Sequence, residues 1–189
     1  MKIQEIELFQ VDIPPIPAIA KYMPKIFDLT LCRVITDEGL IGLGEAHGFP
    51  PDFEEAKQRL IGSDPLSIDP FTEEDPFECA LLDIAGQAAG LPLHRFFGKQ
   101  VRDRVPVSYW SRPMEPEETA AEAEVGARLG FTNHKLKARP WNVVETVRLM
   151  KEAVGSDYSV GLDPNQKFGE VHVAARLAHK LEPFGTVHN

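Results

Sequence analysis

The feature that most constrains this chain is a regular strand–helix alternation in its second half. Residues 105–110 (VPVSYW) predict a strand. Residues 116–129 predict a helix, with Pro116 in its first turn and Glu117 and Glu118 at the positive end of its dipole. Residues 131–138 (FTNHKLKA) predict a second strand. The next helix, 141–154, carries Val143, Val147, Met150 and Val154 on one face and ends at Gly155 as its C-cap. A third strand, 158–163 (YSVGLD), precedes a third helix over 169–182. The order βαβαβα belongs to a parallel sheet or barrel. Its period, from Lys137 to Asp163, is about 26 residues, which suits a (β/α)8 barrel or a doubly wound sheet. Neither GxGxxG nor a P-loop follows the first strand, which takes weight from a nucleotide-binding sheet.

The first half has a different grammar. Residues 2–12 interleave polar residues with Ile3, Ile6, Leu8 and Val11 and predict a strand. A loop rich in proline (Pro14, Pro15, Pro17) runs to about Lys25. Residues 26–36 and 40–47 predict two further strands, joined by the turn Asp37-Glu38-Gly39 into an antiparallel hairpin. Phe77, Leu81, Ile84, Ala85 and Ala88 then make one apolar helix face, closed by Gly90 and Pro92. We expect two domains: an α+β domain over 1–104, and three βα units of an incomplete (β/α) barrel over 105–189.

The net charge of −9 is spread without long like-charge runs. No basic stripe is available for phosphate contacts, so no nucleic-acid partner is expected. Cys32 and Cys79 lie far apart with no CxxC, which fits a reducing cytosol and argues against a disulfide scaffold or a zinc knuckle. The opening MKIQEIELFQ has no apolar run of signal-peptide type, and no membrane span is expected.

The chemistry concentrates at two strand ends. Strand alternation puts Lys135 and Lys137 on one face with Asn133, and His134 and Leu136 on the other. Parallel strands are usually apolar on both faces, so two lysines there point to a site or to a solvated strand exit. Active sites of barrels gather at the C-terminal strand ends. Paired ammonium groups disfavour each other's charge, which can make one a usable general base. Asp163 closes the next strand, with Pro164 stopping it. It is either a ligand for a hard cation such as Mg2+ or a turn carboxylate. Lys-x-Lys beside Asp-x-Asn suits abstraction of a proton alpha to a carboxylate, with metal stabilising the enediolate.

In these features the sequence resembles the enolase superfamily, in its mandelate racemase and muconate lactonizing enzyme branch. TDEGLIGLGEA is similar to that family's N-terminal capping domain. FECALLDIAGQAAGLPLHRFFGKQVRDRVPVSYW is similar to its junction into the barrel, and KLK and DPNQ to its Lys-x-Lys and first metal-ligand motifs. The resemblance implies Lys137 as the α-proton base, Lys135 as its electrostatic partner, Asp163 as a Mg2+ ligand and Asn165 at the mouth of the site. It also implies a homo-oligomer. Loops near 14–26 and 47–53 would close over a small carboxylate substrate, a sugar acid or hydroxy acid, and they carry Lys21, Tyr22, Lys25, His47 and Phe49. The barrel part has roughly 85 residues against about 250 for a whole barrel. We therefore expect half of such an enzyme, inactive by itself.

Sugar-acid dehydration is the leading expectation, with racemisation, epimerisation or cycloisomerisation as alternatives. A Schiff-base aldolase using one barrel lysine, and a binding fragment without turnover, are readings of other kinds. Several residues are expected to serve structure. His134 should pack away from the barrel axis, His172 and His179 are too far apart for an i, i+4 metal pair, and Asp83 and Glu45 suit polar contacts. Of Tyr109 and Trp110, one faces inward and could touch substrate, though packing is the simpler role.

Overall fold

The computed structural model describes residues 1–22, 27–73, 75–185 and 187–188. In chain order the first elements are β1 (Ile3–Ile13), α1 (Pro17–Ala20), β2 (Phe27–Thr36), β3 (Ile41–His47), α2 (Phe53–Leu60), α3 (Phe77–Ala89) and α4 (His94–Phe97). There follow β4 (Tyr109–Ser111), α5 (Pro116–Arg128), β5 (Asn133–Leu136), α6 (Val143–Val154), β6 (Ser159–Leu162), α7 (Val171–Leu181) and β7 (Val187–His188). The chain forms two compact units. One contains 1–16 and 27–103; the other contains 17–22 and the residues from Arg104 onward.

The first unit is α+β. Its sheet has the order β1-β2-β3, antiparallel throughout, with Ile6 opposite Val34 and Cys32 opposite Gly44. Alternation sends Ile6, Cys32 and Val34 into a core shared with Phe53, Leu60, Phe77, Leu81 and Ile84. Helix α3 lies so close to β3 that a Cβ on Gly44 would sit 2.0 Å from the Pro76 carbonyl oxygen, and one on Gly42 2.1 Å from that of Ala80. Only glycine permits this approach. The open edge of β3 is satisfied by helix side chains: Asp83 accepts the Leu43 N–H at 2.9 Å, and Gln87 donates to the Ile41 carbonyl at 2.7 Å. Helix α2 has no counterpart in the sequence expectation. Its signal is short, with Phe53, Ala56 and Leu60 buried at i, i+3 and i+7.

The second unit is the first part of a (β/α) barrel. Its sheet runs β4-β5-β6-β7, every pair parallel. The helices cover one face. Val143, Val147 and Met150 of α6 are fully buried with Leu136, Val160, Leu162, Leu177 and Leu181. Each such side chain contributes about 1.5–3 kcal/mol of burial. One expectation needs correction. The first barrel strand is Tyr109–Ser111, shorter than 105–110, because β5 begins only at Asn133 and offers no backbone partner earlier. Val105 and Val107 are left exposed, and the Asn133 side chain meets Ser108 instead, donating to its hydroxyl at 2.9 Å. A fourth strand, β7, lies beside β6.

Both cysteines are free, Cys32 buried and Cys79 exposed. Among the described residues no helix is long and apolar enough to cross a membrane.

Candidate active site

The site grows from the pleat of β5. His134 and Leu136 point to the helix-covered side and are buried, which leaves Lys135 and Lys137 on the opposite face. The backbone ladder continues past the strand ends. Asp163 N–H donates to the Leu136 carbonyl at 2.9 Å and Ala138 N–H to the Asp163 carbonyl at 3.2 Å. This carries Asp163 up beside Lys137.

The Asp163 carboxylate accepts from Lys137 Nζ at 2.6 Å and from Lys135 Nζ at 3.1 Å, both through Oδ2. Its Oδ1 accepts the Asn165 N–H at 3.1 Å. Pro164 turns the chain, and Asn165 and Gln166 take left-handed backbone angles, φ 46° and 64°. Asparagine tolerates that region; glutamine does so at a cost, and such strain collects at functional turns. The turn returns Asn165 Oδ1 to Lys137 Nζ at 2.6 Å. Lys137, then Lys135, then the Asn165 N–H hold the Asp163 carboxyl down to about 2.

This donor set fits a divalent cation in part. Asp163 is an anionic oxygen donor at neutral pH, and Asn165 offers an amide oxygen beside it; both are hard ligands of the kind Mg2+ takes. They fit one side of a coordination sphere. No group of three or more His, Cys, Asp or Glu that could hold a metal occurs among the described residues.

The other expected residues divide. Lys21 and Tyr22 belong to the second unit, and both meet Glu118 in the first turn of α5. His47 belongs to the first unit, exposed at the end of β3 opposite Leu29. Lys25 lies outside the described residues.

On the helix side, His134 is fully buried between Ser111, whose Oγ is 2.6 Å from Nε2, and Tyr158, whose hydroxyl is 3.4 Å from Nδ1. Burial pushes His134 down to about 4, so it is a neutral packing residue. Tyr109 shares that side, stacked edge-on against Phe131 and His134, with its hydroxyl donating to Glu122 at 2.7 Å. Trp110 is in register with Lys135 and is 39% exposed. The Arg112 guanidinium lies 5.4 Å from the Trp110 ring. Sequence reasoning overlooked Arg112, although two-residue alternation from Trp110 puts it on the lysine face.

No family model matches the chain. It is 27% identical over 199 residues to an N-succinyl-L-Arg/Lys racemase of Bacillus cereus, covering 88% of this chain and 53% of that protein. It is 27% identical over 186 residues to a D-galactonate dehydratase of Pectobacterium atrosepticum, covering 80% of this chain and 48% of that one. Among solved structures, a dipeptide epimerase from Cytophaga hutchinsonii, complexed with Mg and the dipeptide D-Ala-L-Val, superposes with a TM-score of 0.80 at 25% identity. That match covers 100% of this chain and 58% of the epimerase. The chain thus spans about half the length of the curated relatives it matches.

Proposed function

Because the chain belongs to the mandelate racemase and muconate lactonizing enzyme branch of the enolase superfamily, we propose that it carries one half of a Mg2+-dependent site for removing the proton alpha to a carboxylate. The observation that carries this is the cluster Lys135–Asp163–Lys137 at two adjacent strand ends, with Asn165 folded back onto it.

Lys137 is the base. Its Nζ takes the α-proton, and the C–H electron pair passes into the substrate carboxylate as an enediolate. The hydrogen bonds to Asp163 and Asn165 aim Nζ, which limits the orientations it samples before reaction. Lys135 shares the same carboxylate oxygen and supplies positive charge beside the reacting carbon. Asp163 and Asn165 would hold a bound Mg2+, which would supply positive charge to stabilise the enediolate.

Loss of a β-hydroxyl from the enediolate gives dehydration. Return of a proton to the opposite face gives racemisation or epimerisation. Dehydration of a sugar acid is our first reading, supported by the galactonate dehydratase relative. Epimerisation of an amino-acid or dipeptide centre is the second, supported by the racemase relative and the epimerase structure. The test is α-proton exchange in deuterated water with Mg2+, followed by NMR on sugar acids, N-acylated amino acids and dipeptides. Exchange with release of a 2-keto acid supports dehydration; exchange without loss of water supports epimerisation. No exchange by the whole enzyme on any carboxylate would remove the reading.

A further inference from the structure

Residues 17–22 are the one stretch before Arg104 that groups with the second unit among the described residues, although the chain on both sides of it belongs to the first. Their contacts explain why. Lys21 Nζ and the Tyr22 hydroxyl both donate to the Glu118 carboxylate, one to each oxygen. The Glu115 N–H, at the N-terminal boundary of α5, donates to the Tyr22 oxygen at 3.2 Å. The Lys21 ammonium also lies over the Tyr22 ring, 4.7 Å from its centre.

Glu118 is suited to this task. A carboxylate in the first turn of a helix is placed favourably against the helix dipole. In a βα unit the helix N-terminus lies at the C-terminal end of the preceding strand. The first turn of α5 is therefore at the same end of the sheet as Lys137 and Asp163.

We infer that Glu118 is a positioning residue: it fastens the Pro17–Tyr22 strap to α5, at the catalytic end of the sheet. Lys21 and Tyr22 are then its fasteners and not substrate contacts, and the strap reaches the site by being held there. That this serves catalysis rests on the reading under Proposed function; the fastening itself does not.

The experiment uses the chain 1–189 and limited trypsin digestion at the Lys21–Tyr22 bond. Trypsin must take the Lys21 ammonium into its own acidic pocket, so cutting requires the contact with Glu118 to open. Under mild digestion the rate follows the population of that open state. Glu118→Ala raises cleavage at Lys21 by about tenfold, the scale of losing one hydrogen bond to a charged group. Glu118→Gln keeps an acceptor for Tyr22 and restores part of the protection. Tyr22→Phe gives an intermediate rise. Added salt speeds cleavage in the parent chain more than in Glu118→Ala, because the ion pair is exposed and screened. Helix content by circular dichroism is unchanged, since alanine is a good helix former. Parent-like cleavage in Glu118→Ala, or a rise spread equally over all tryptic sites, overturns the inference. If the reaction proposed above fails on every substrate while Lys21 is still unmasked by Glu118→Ala, the fastening stands and only its catalytic use falls.

Discussion

Asp163, one residue past β6, and His134, on β5, face opposite sides of the same sheet, and both predict a loss of stability on acidification, in different pH windows. The Asp163 carboxyl is held down to about 2 by Lys137 and Lys135. Its contribution is present above the ordinary carboxyl range near 3.8 and is lost as pH falls through about 2. His134 is pushed down from 6.5 to about 4 by burial. The unfolded chain therefore binds a proton that the folded chain refuses, so stability is full above 6.5 and declines as pH falls toward 4. Urea denaturation should give about 2 kcal/mol less stability at pH 5 than at pH 7, and His134→Gln should flatten that slope. A parent chain with no such slope would mean that His134 is charged when folded. At the site itself, Lys137→Ala should abolish α-proton exchange in the whole enzyme and leave folding intact, because the side chain points away from the core; NMR in deuterated water reads it. Asp163→Asn should weaken Mg2+ binding and activity together, as measured by calorimetry, since a neutral amide replaces the anionic oxygen. Which of these side chains share a face was legible in the sequence, because a two-residue period fixes it. The link from Lys21 to Glu118 was not, because it joins positions 97 apart through side chains alone.

At the scale of elements, the strand–helix order from β4 onward was readable, and Gly155 does end α6 where helical spacing stops; α1, inside the expected proline-rich loop, was not. What was not readable is which faces come close. The glycines of LIGLGEA look like weak points in a strand. In the fold they are the surface on which α3 rests, and Gly126 of α5 plays the same part: a Cβ there would lie 2.6 Å from the Tyr158 hydroxyl and 2.8 Å from the Tyr109 ring. The two cases differ in what must move. At Gly44 the obstacle is backbone, which cannot swing aside, so Gly44→Ala should cost about 3 kcal/mol, the upper range for overpacking. At Gly126 the obstacles are side chains, so Gly126→Ala should cost less, about 1–2 kcal/mol. Urea midpoints of the two variants decide the order; an equal or reversed order would mean that β3 and α3 separate easily. The length of β4 was misjudged for a related reason. A run such as VPVSYW satisfies strand composition, but a ladder needs a partner, and β5 begins too late to provide one.

At the scale of the whole molecule, two separate apolar clusters organise the chain, one in each unit. The lysine face of the parallel sheet is part of neither. Lys135 remains 44% exposed and Asp163 24% exposed. This exposure decides the last expectation. An enediolate is stabilised by charges preorganised in a water-excluded site, where the effective dielectric is low. On a wet face the same charges are screened and reorganise with solvent. Mg2+ binding meets a similar limit. One carboxylate and one amide oxygen supply two ligands to an ion that wants six, and no acidic cluster among the described residues adds more. We therefore expect chain 1–189, assayed by itself, to give no measurable Mg2+-dependent α-proton exchange on sugar acids, hydroxy acids or dipeptides. It should still fold, because both clusters are built from buried side chains, and circular dichroism and a cooperative urea transition check that independently. A folded chain that turns over these substrates with Mg2+ would mean that ligands and cover for the lysine face come from this chain in an arrangement other than the one described. The first place to look would be a second copy of the chain packed against the open face of β4 to β7, which a concentration-dependent rate would reveal.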